Sequence, residues 1–284
     1  MIRTLYERLF VALQYVLPQH LLSRCLGALA RCPWPWVHQP LIRGFVRVFG
    51  VDLSEAERRE PDAYESFNDF FTRALRPGAR PLPEREDAIL CPADGTLSRA
   101  GGIRGSELLQ AKGQHYSLLE LLGDDPALAS EFINGSFATI YLAPRDYHRV
   151  HMPLPGRLRG WTHVPGRLFS VNDTTARQVP RLFTRNERVV AVFDTDRGPL
   201  AVVLVGAMIV AGIETVFAGQ HTPLPHRVRH QPADARMELA AGDELGRFLL
   251  GSTVIVLLPE GVGQWRDNLS AGTPVRMGEA LGRL

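Results

Sequence analysis

Apolar residues recur three and four positions apart through residues 1–50: Ile2, Leu5, Leu9 and Leu13, then Leu22, Cys25, Leu26 and Leu29, then Leu41, Ile42, Phe45, Val46 and Phe49. That period predicts amphipathic helices, and prolines 18, 33, 35 and 40 are expected to cut the segment into short ones. Residues 51–65 are charged and polar and read as a connector. Ser66-Phe67-Asn68-Asp69 has the form of a capping box opening a short helix, with Phe67, Phe70, Phe71 and Leu75 on one face and Pro77-Gly78 ending it. The pattern then changes to short, dense apolar runs at 138–142, 189–193, 200–205, 208–210, 214–217, 247–250 and 253–258, closely punctuated by Gly and Pro and read as strands. Only 117–122 and 174–178 read as helices there. The expectation is an α+β fold: a mainly antiparallel β core, barrel-like or sandwich-like, preceded by an N-terminal set of short amphipathic helices, and not a βαβ repeat. The division expected is a helical membrane-docking region over 1–60 and a catalytic β-rich domain over 61–284.

Charge changes the picture at the N-terminus. Of a net +2, residues 1–50 hold six arginines against one glutamate, a net +5, so the rest of the chain carries −3. Trp34 and Trp36 lie between the helical segments, and apolar faces flanked by arginine are the composition of helices lying in a membrane interface. A helical subdomain packed on its own core is the competing reading. No apolar run reaches the roughly 20 residues needed to span a bilayer; the longest uncharged stretch, 198–213, is read as buried strands. The start imitates a signal peptide, but Glu7, Arg8, Pro18, Gln19, His20 and Arg24 break that pattern. Cys25, Cys32 and Cys91 have no CxxC spacing, which argues against a disulfide framework and against a metal site. Neither a phosphate-binding glycine loop nor an internal repeat is present, so nucleotide chemistry and a nucleic-acid partner are not expected. Lys112 is the sole lysine, which leaves one candidate for any lysine Schiff base.

The candidate chemistry starts at Gly251-Ser252-Thr253, where a small hydroxyl follows a glycine at an interruption between strand-like runs. His148 and His151 stand three apart, on one face if the segment is a helical turn and on opposite faces if it is a strand. His115, His163, His221, His226 and His230 are read as structural or solvent-exposed. Asp94, between Ala93 and Gly95, is by itself an Asx turn; with His151 and Ser252 it supplies orienter, base and nucleophile, the logic of a serine triad. The segment Gly251-Ser252-Thr253-Val254-Ile255 lacks the second glycine of a hydrolase nucleophile elbow, so an intramolecular target fits better than an intact serine hydrolase.

Five motifs in register carry a resemblance: Phe67-Asn68-Asp69-Phe70-Phe71-Thr72-Arg73, Pro92-Ala93-Asp94-Gly95, the run from Asp146 to Pro153, Phe193-Asp194-Thr195, and Leu250-Gly251-Ser252-Thr253. Over nearly its whole length the chain resembles the bacterial, pyruvoyl-dependent phosphatidylserine decarboxylase proenzymes. The resemblance implies autocatalytic cleavage at Gly251-Ser252 into a beta chain 1–251 and an alpha chain 252–284, with Asp94, His151 and Ser252 as the self-cleavage triad. It implies a covalent pyruvoyl (pyruvate) cofactor derived from Ser252, which forms a Schiff base with phosphatidylserine and yields phosphatidylethanolamine and carbon dioxide. His148 is assigned, from the family and from its spacing to His151, to substrate contact or proton transfer. The implied partners are phosphatidylserine and an anionic membrane surface, with the two cut chains staying associated and a homodimer compatible with the resemblance. The implied location is peripheral, on the cytoplasmic side of the cell membrane. Residues 224–240 match no family feature.

Overall fold

Every residue of the run Ser252–Leu258 is buried, and β-branched side chains fill both its sides; such a strand must be covered on two faces. The computed structural model describes residues 2–111, 113–208, 212–221, 228–232, 237–249 and 251–284. The principal strands are β1 (Gly95–Gly102), β2 (Ser136–Leu142), β3 (Arg149–His151), β4 (Gly156–Val164), β5 (Arg188–Thr195), β6 (Gly198–Gly206), β7 (Ile213–Thr215), β8 (Glu244–Phe248) and β9 (Ser252–Leu258). The larger sheet runs Arg229–Pro232, β4, β5, β6, β9, β2, β1, Pro274–Val275, with Glu238–Leu239 also on β4. The smaller runs Gly219–Gln220, β7, β8, β3. All these ladders are antiparallel. The larger sheet is open at both ends among the described residues, so the sandwich alternative of the expected α+β fold is the one adopted.

Alternation along the central strands sorts the core into two layers. One face of the larger sheet, with Val189, Ala191, Val202, Leu204, Val254 and Val256, packs on Val150, Ile213, Leu245 and Phe248 of the smaller sheet. The other face, with Val190, Val203, Ile255 and Leu257, lies under helical and hairpin residues such as Leu118, Phe132, Ala176 and Phe183. Ser252 shares the parity of Val254 and Val256 and so faces the smaller sheet.

The N-terminal segment forms α1 (Ile2–Val16), α2 (Gln19–Ala30) and α3 (Pro35–Phe49), and the capping box opens α4 (Phe67–Phe71), where Ser66 Oγ accepts from the Asp69 amide at 3.1 Å. Pro40 was expected to end a helix but lies inside α3; it withholds one donor, from the Trp36 carbonyl of the first turn. α1 and α2 turn most of their large apolar residues outward, and α3 does so on one side only. Leu5, Leu9, Leu13, Val16, Trp36 and Val48 are exposed, whereas Gln14 and Gln19 are buried, their Oε1 atoms accepting from the amides of Ser170 (2.9 Å) and Leu168 (2.8 Å). Phe45 of α3 packs edge-on against Phe67, Phe70 and Phe71 of α4.

The segment 51–65 is not a solvated connector. Val51, Leu53, Ala56 and Tyr64 are buried in one cluster with α4, their apolar spacing masked in the sequence by the charges between them. The expected strand at 214–217 is β7, which ends at Thr215 before a turn. Expected strand residues 209, 210 and 250, along with Lys112 and His226, lie outside the described residues. Strands β1, β3 and β4 were not anticipated, because glycine, arginine and histidine dilute their apolar positions.

Candidate active site

Chain direction brings the two sheets together at one bond. β8 ends at Phe248 in the smaller sheet, and β9 begins at Ser252 in the middle of the larger one, so the chain changes layers between these two strands. Gly251 has φ +29°, a left-handed conformation that favours glycine, and a Cβ there would meet nothing within 4 Å. The scissile candidate therefore borders open space. Ser252 is paired with Leu142 on one side and Gly206 on the other, and its Oγ is fully buried without a hydrogen-bond partner. Thr253 Oγ1 is also unpartnered, but its alternation turns it to the opposite, helical layer.

Leu142, the register partner of Ser252, ends β2, and the chain then turns through 143–147 to His148 and β3. His148 is completely buried. Its Nδ1 lies 2.8 Å from the Asp146 carbonyl, which fixes the proton on Nδ1 and leaves the buried Nε2 as an unpartnered acceptor. Phe71 of α4 covers the ring at 4.1 Å between centroids. Burial, aided by the Arg73 charge, pushes the imidazole down to about 3, so it is neutral at rest.

His151 ends β3 and His148 immediately precedes that strand, so the segment is not the helical turn that would set both imidazoles on one face. Its Nδ1 donates to the Gly242 carbonyl at 2.8 Å and its Nε2 accepts from Tyr147 Oη at 3.0 Å. Burial pushes this imidazole below its ordinary value, against the opposing pull of the Gly242 carbonyl and the Glu244 carboxylate; Asp94 pulls the same way more weakly.

Asp94 precedes β1 and is held from two sides: Oδ2 by Arg80 at 2.7 Å and Oδ1 by the Met277 amide at 2.8 Å. Arg80 also binds Glu55 at 2.7 Å, tying 51–65 to the site. Asp94 and Tyr147 line one polar cavity of about 270 Å³ together with Asp52, Glu55, Arg73, Arg80, Arg145, Asp146 and Arg276. Backbone pairing brings the segments that carry Asp94, His148, His151 and Ser252 to one end of the larger sheet: Ser252 lies opposite Leu142, Thr96 after Asp94 lies opposite Tyr141, and the His151 amide donates to the Pro92 carbonyl at 2.7 Å. No hydrogen bond joins Asp94 to His151 or His151 to Ser252; the atom that orients His151 is the Gly242 carbonyl. Tyr147, Gly242, Arg73 and Arg80 were missed as individual site residues. Tyr147 and Arg73 stood inside quoted motifs, whereas nothing local in the sequence distinguishes Gly242 or Arg80. Among the described residues no cluster of three or more His, Cys, Asp or Glu is placed to hold a metal ion, and the Nε2 atoms of His163 and His221 pair with Glu187 (2.8 Å) and Thr215 (2.7 Å).

The family described as phosphatidylserine decarboxylase matches residues 67–283, and a second, described as PSD, matches 9–50. A protein of Alcanivorax borkumensis named phosphatidylserine decarboxylase proenzyme is 56% identical over 286 residues, covering 98% of this chain and 97% of the relative. One from Pseudomonas fluorescens with the same name is 57% identical over 281 residues, covering 97% of each. By the extent and identity of these matches, the chain belongs to the phosphatidylserine decarboxylase family, a family of carboxy-lyases.

Proposed function

We propose that the chain is a proenzyme that cuts itself once, between Gly251 and Ser252, and then decarboxylates phosphatidylserine at a membrane surface. The observation that carries this reading is Ser252 itself. An unpartnered hydroxyl in a central strand costs about 1–3 kcal/mol relative to a satisfied one, and here it follows a left-handed glycine, beside open space, on the face turned toward the His148–His151 strand.

In the cut, Ser252 Oγ gives its proton to the neutral His151 Nε2 and adds to the Gly251 carbonyl carbon. The Gly251–Ser252 C–N bond breaks as the amine takes up a proton, leaving an ester. Elimination across Cα–Cβ of Ser252 releases the Gly251 carboxylate, and hydrolysis with loss of ammonia leaves a ketone at the new N-terminus. Tyr147 Oη, which occupies Nε2 at 3.0 Å, must turn aside or carry that proton. Asp94 acts through its charge on the imidazolium that forms, since its oxygens are committed to Arg80 and Met277.

The residues around Ser252 fit a pyruvoyl group, because the position is buried, has no donor already engaged and opens on one side. That group supplies an electrophilic ketone as the sink for the electrons left behind by carbon dioxide. His148, whose Nε2 is unpartnered, serves in substrate contact or in returning a proton to the α-carbon, a role for which the charge of a bound substrate carboxylate would raise its basicity. The outward apolar faces of α1 to α3 support peripheral membrane contact. No helix among the described residues is long and apolar enough to cross a membrane.

Intact-mass measurement tests the proposal. The wild type should give fragments 1–251 and 252–284, the latter with a blocked N-terminus that borohydride and an amine can trap, while Ser252→Ala stays at 31.5 kDa. His151→Ala and Asp94→Ala should also remain uncut, and His148→Ala should be cut but lose most carbon dioxide release. A wild-type chain that stays whole while releasing carbon dioxide would refute the scheme.

A further inference from the structure

The motif Phe67 to Arg73 ends in a charge that the self-cleavage chemistry does not use. Arg73 is 4% exposed, and its guanidinium has no carboxylate partner among the described residues. Nη2 donates to the Arg145 and Asp146 carbonyls at 3.2 and 3.3 Å, and Nη1 is buried with no acceptor. Burial lowers its pKa from the ordinary arginine value, the mark of a cation lacking compensation. The other buried or half-buried charges in the polar cavity are committed, Arg80 to Glu55 and Asp94, Asp146 Oδ2 to the Ala143 amide and Asp52 to the Ser54 amide, while the exposed Arg276 and Arg145 reach Glu55 and, at 3.9 Å, Asp146. A buried guanidinium left in this state is costly unless an oxyanion completes it.

We propose that Arg73 binds the phosphodiester of the lipid substrate and so fixes its headgroup relative to His148; this rests on the decarboxylase reading above. The Asp146 carbonyl accepts from both Arg73 Nη2 and His148 Nδ1, which makes the guanidinium an immediate neighbour of the imidazole. On the other side of α4, Phe67 lines an apolar cavity of about 400 Å³ with Leu26, Leu29, Leu41, Phe45 and Phe49. Apolar cavity, buried cation and imidazole thus all border α4, through Phe67, Phe70 and Phe71 respectively, so one lipid can reach all three with its acyl chain, phosphate and serine. The carboxylate is the wrong oxyanion for Arg73. Its charge disperses as carbon dioxide leaves, so a cation holding it would favour the ground state, whereas the phosphodiester keeps its charge throughout.

The proposal is tested with full-length wild type and Arg73→Gln acting on phosphatidylserine in phosphatidylcholine vesicles. Arg73→Gln should still split into two fragments. Its KM should rise about tenfold or more with kcat within roughly threefold, the pattern of a contact made equally in ground and transition states. Inhibition by sn-glycero-3-phosphoethanolamine, which has the phosphodiester but no carboxylate, should weaken by about the same factor, and inhibition by L-serine should not. An unchanged KM overturns the proposal, and so does a loss confined to L-serine, which would put Arg73 on the carboxylate. Should Arg73→Gln fail to split, the wild type alone decides: sn-glycero-3-phosphoethanolamine must inhibit about tenfold better than ethanolamine, and equal potency overturns the proposal. Failure of the underlying reading looks different, with the wild type uncut or Ser252→Ala releasing carbon dioxide.

Discussion

At the scale of single residues, the site depends on keeping imidazoles neutral by burial. His148 has a folded value of about 3 against an ordinary 6.5, and His221 one of about 4; His151 is shifted in the same direction. An unfolded chain binds these protons near pH 6.5, while the folded chain refuses them until much lower pH. Stability is therefore fully present above about pH 6.5 and falls as the pH drops below it. Urea unfolding of the uncut Ser252→Ala chain between pH 7 and pH 5 should show this decline. Adding His148→Gln should reduce its slope by up to ~1.4 kcal/mol per pH unit; an unchanged slope would mean that His148 titrates normally in the folded chain. Asp94 is a different kind of residue, fixed by Arg80 and a backbone amide, and it reaches His151 only through its field.

At the scale of elements, two glycines that look alike in sequence do different work. Gly95 opens β1 beside Asp94, and a Cβ there would drive into the Tyr141 carbonyl of β2, a rigid backbone atom far inside van der Waals distance. Gly95→Ala should cost about 1–3 kcal/mol, shift Asp94 and block self-cleavage. Gly251 is constrained by its φ of +29° and not by space, since nothing lies within 4 Å. Gly251→Ala should slow the cut without abolishing it. Time courses of the two variants on denaturing gels separate the predictions, and equal behaviour would show that crowding does not matter at Gly95. α4 links levels in the same way: its Ser66 cap sets the helix, the helix sets Phe71, and Phe71 covers His148.

At the scale of the molecule, the proposed cut falls at the end of a strand and would leave the strand in place. β9 pairs with β2 and β6 along its length, and every residue in it is buried. The last strand, Ala280–Arg283, pairs with Ala88–Leu90 of the long fragment. The fragments should co-elute on native gel filtration and part only in denaturant; separation without denaturant would contradict this topology. The membrane face is testable by changing exposed apolar residues alone. Leu9→Ser, Trp36→Ser and Val48→Ser together should weaken sedimentation with anionic vesicles by about tenfold or more, with folding stability changed by less than ~1 kcal/mol. Unchanged sedimentation would move the contact elsewhere. Deleting residues 1–50 is the less specific experiment, because it strips Phe45 from α4 and loosens the cover of His148.

The local pattern alone determined the helical start, the dense strands at the centre of the larger sheet and the cap at Ser66, and residue type nominated Ser252, His151, His148 and Asp94 as candidates for the chemistry. These follow from period, capping and residue type, which are properties of neighbours in sequence. Tertiary structure alone decided which face of each helix turns outward, because the inward side of α1 and α2 is recognised by glutamine hydrogen bonds beside a few apolar residues such as Val11 and Ala30, and not by the main apolar stripe. It also decided that Pro40 sits inside α3, that Val51, Leu53 and Ala56 form a core beneath charged neighbours, and that Gly242, distant in sequence, orients His151. Burial made His148 neutral and left Arg73 without a counter-charge. Such properties come from groups far apart along the chain, and desolvation exists only once those groups have closed around the site.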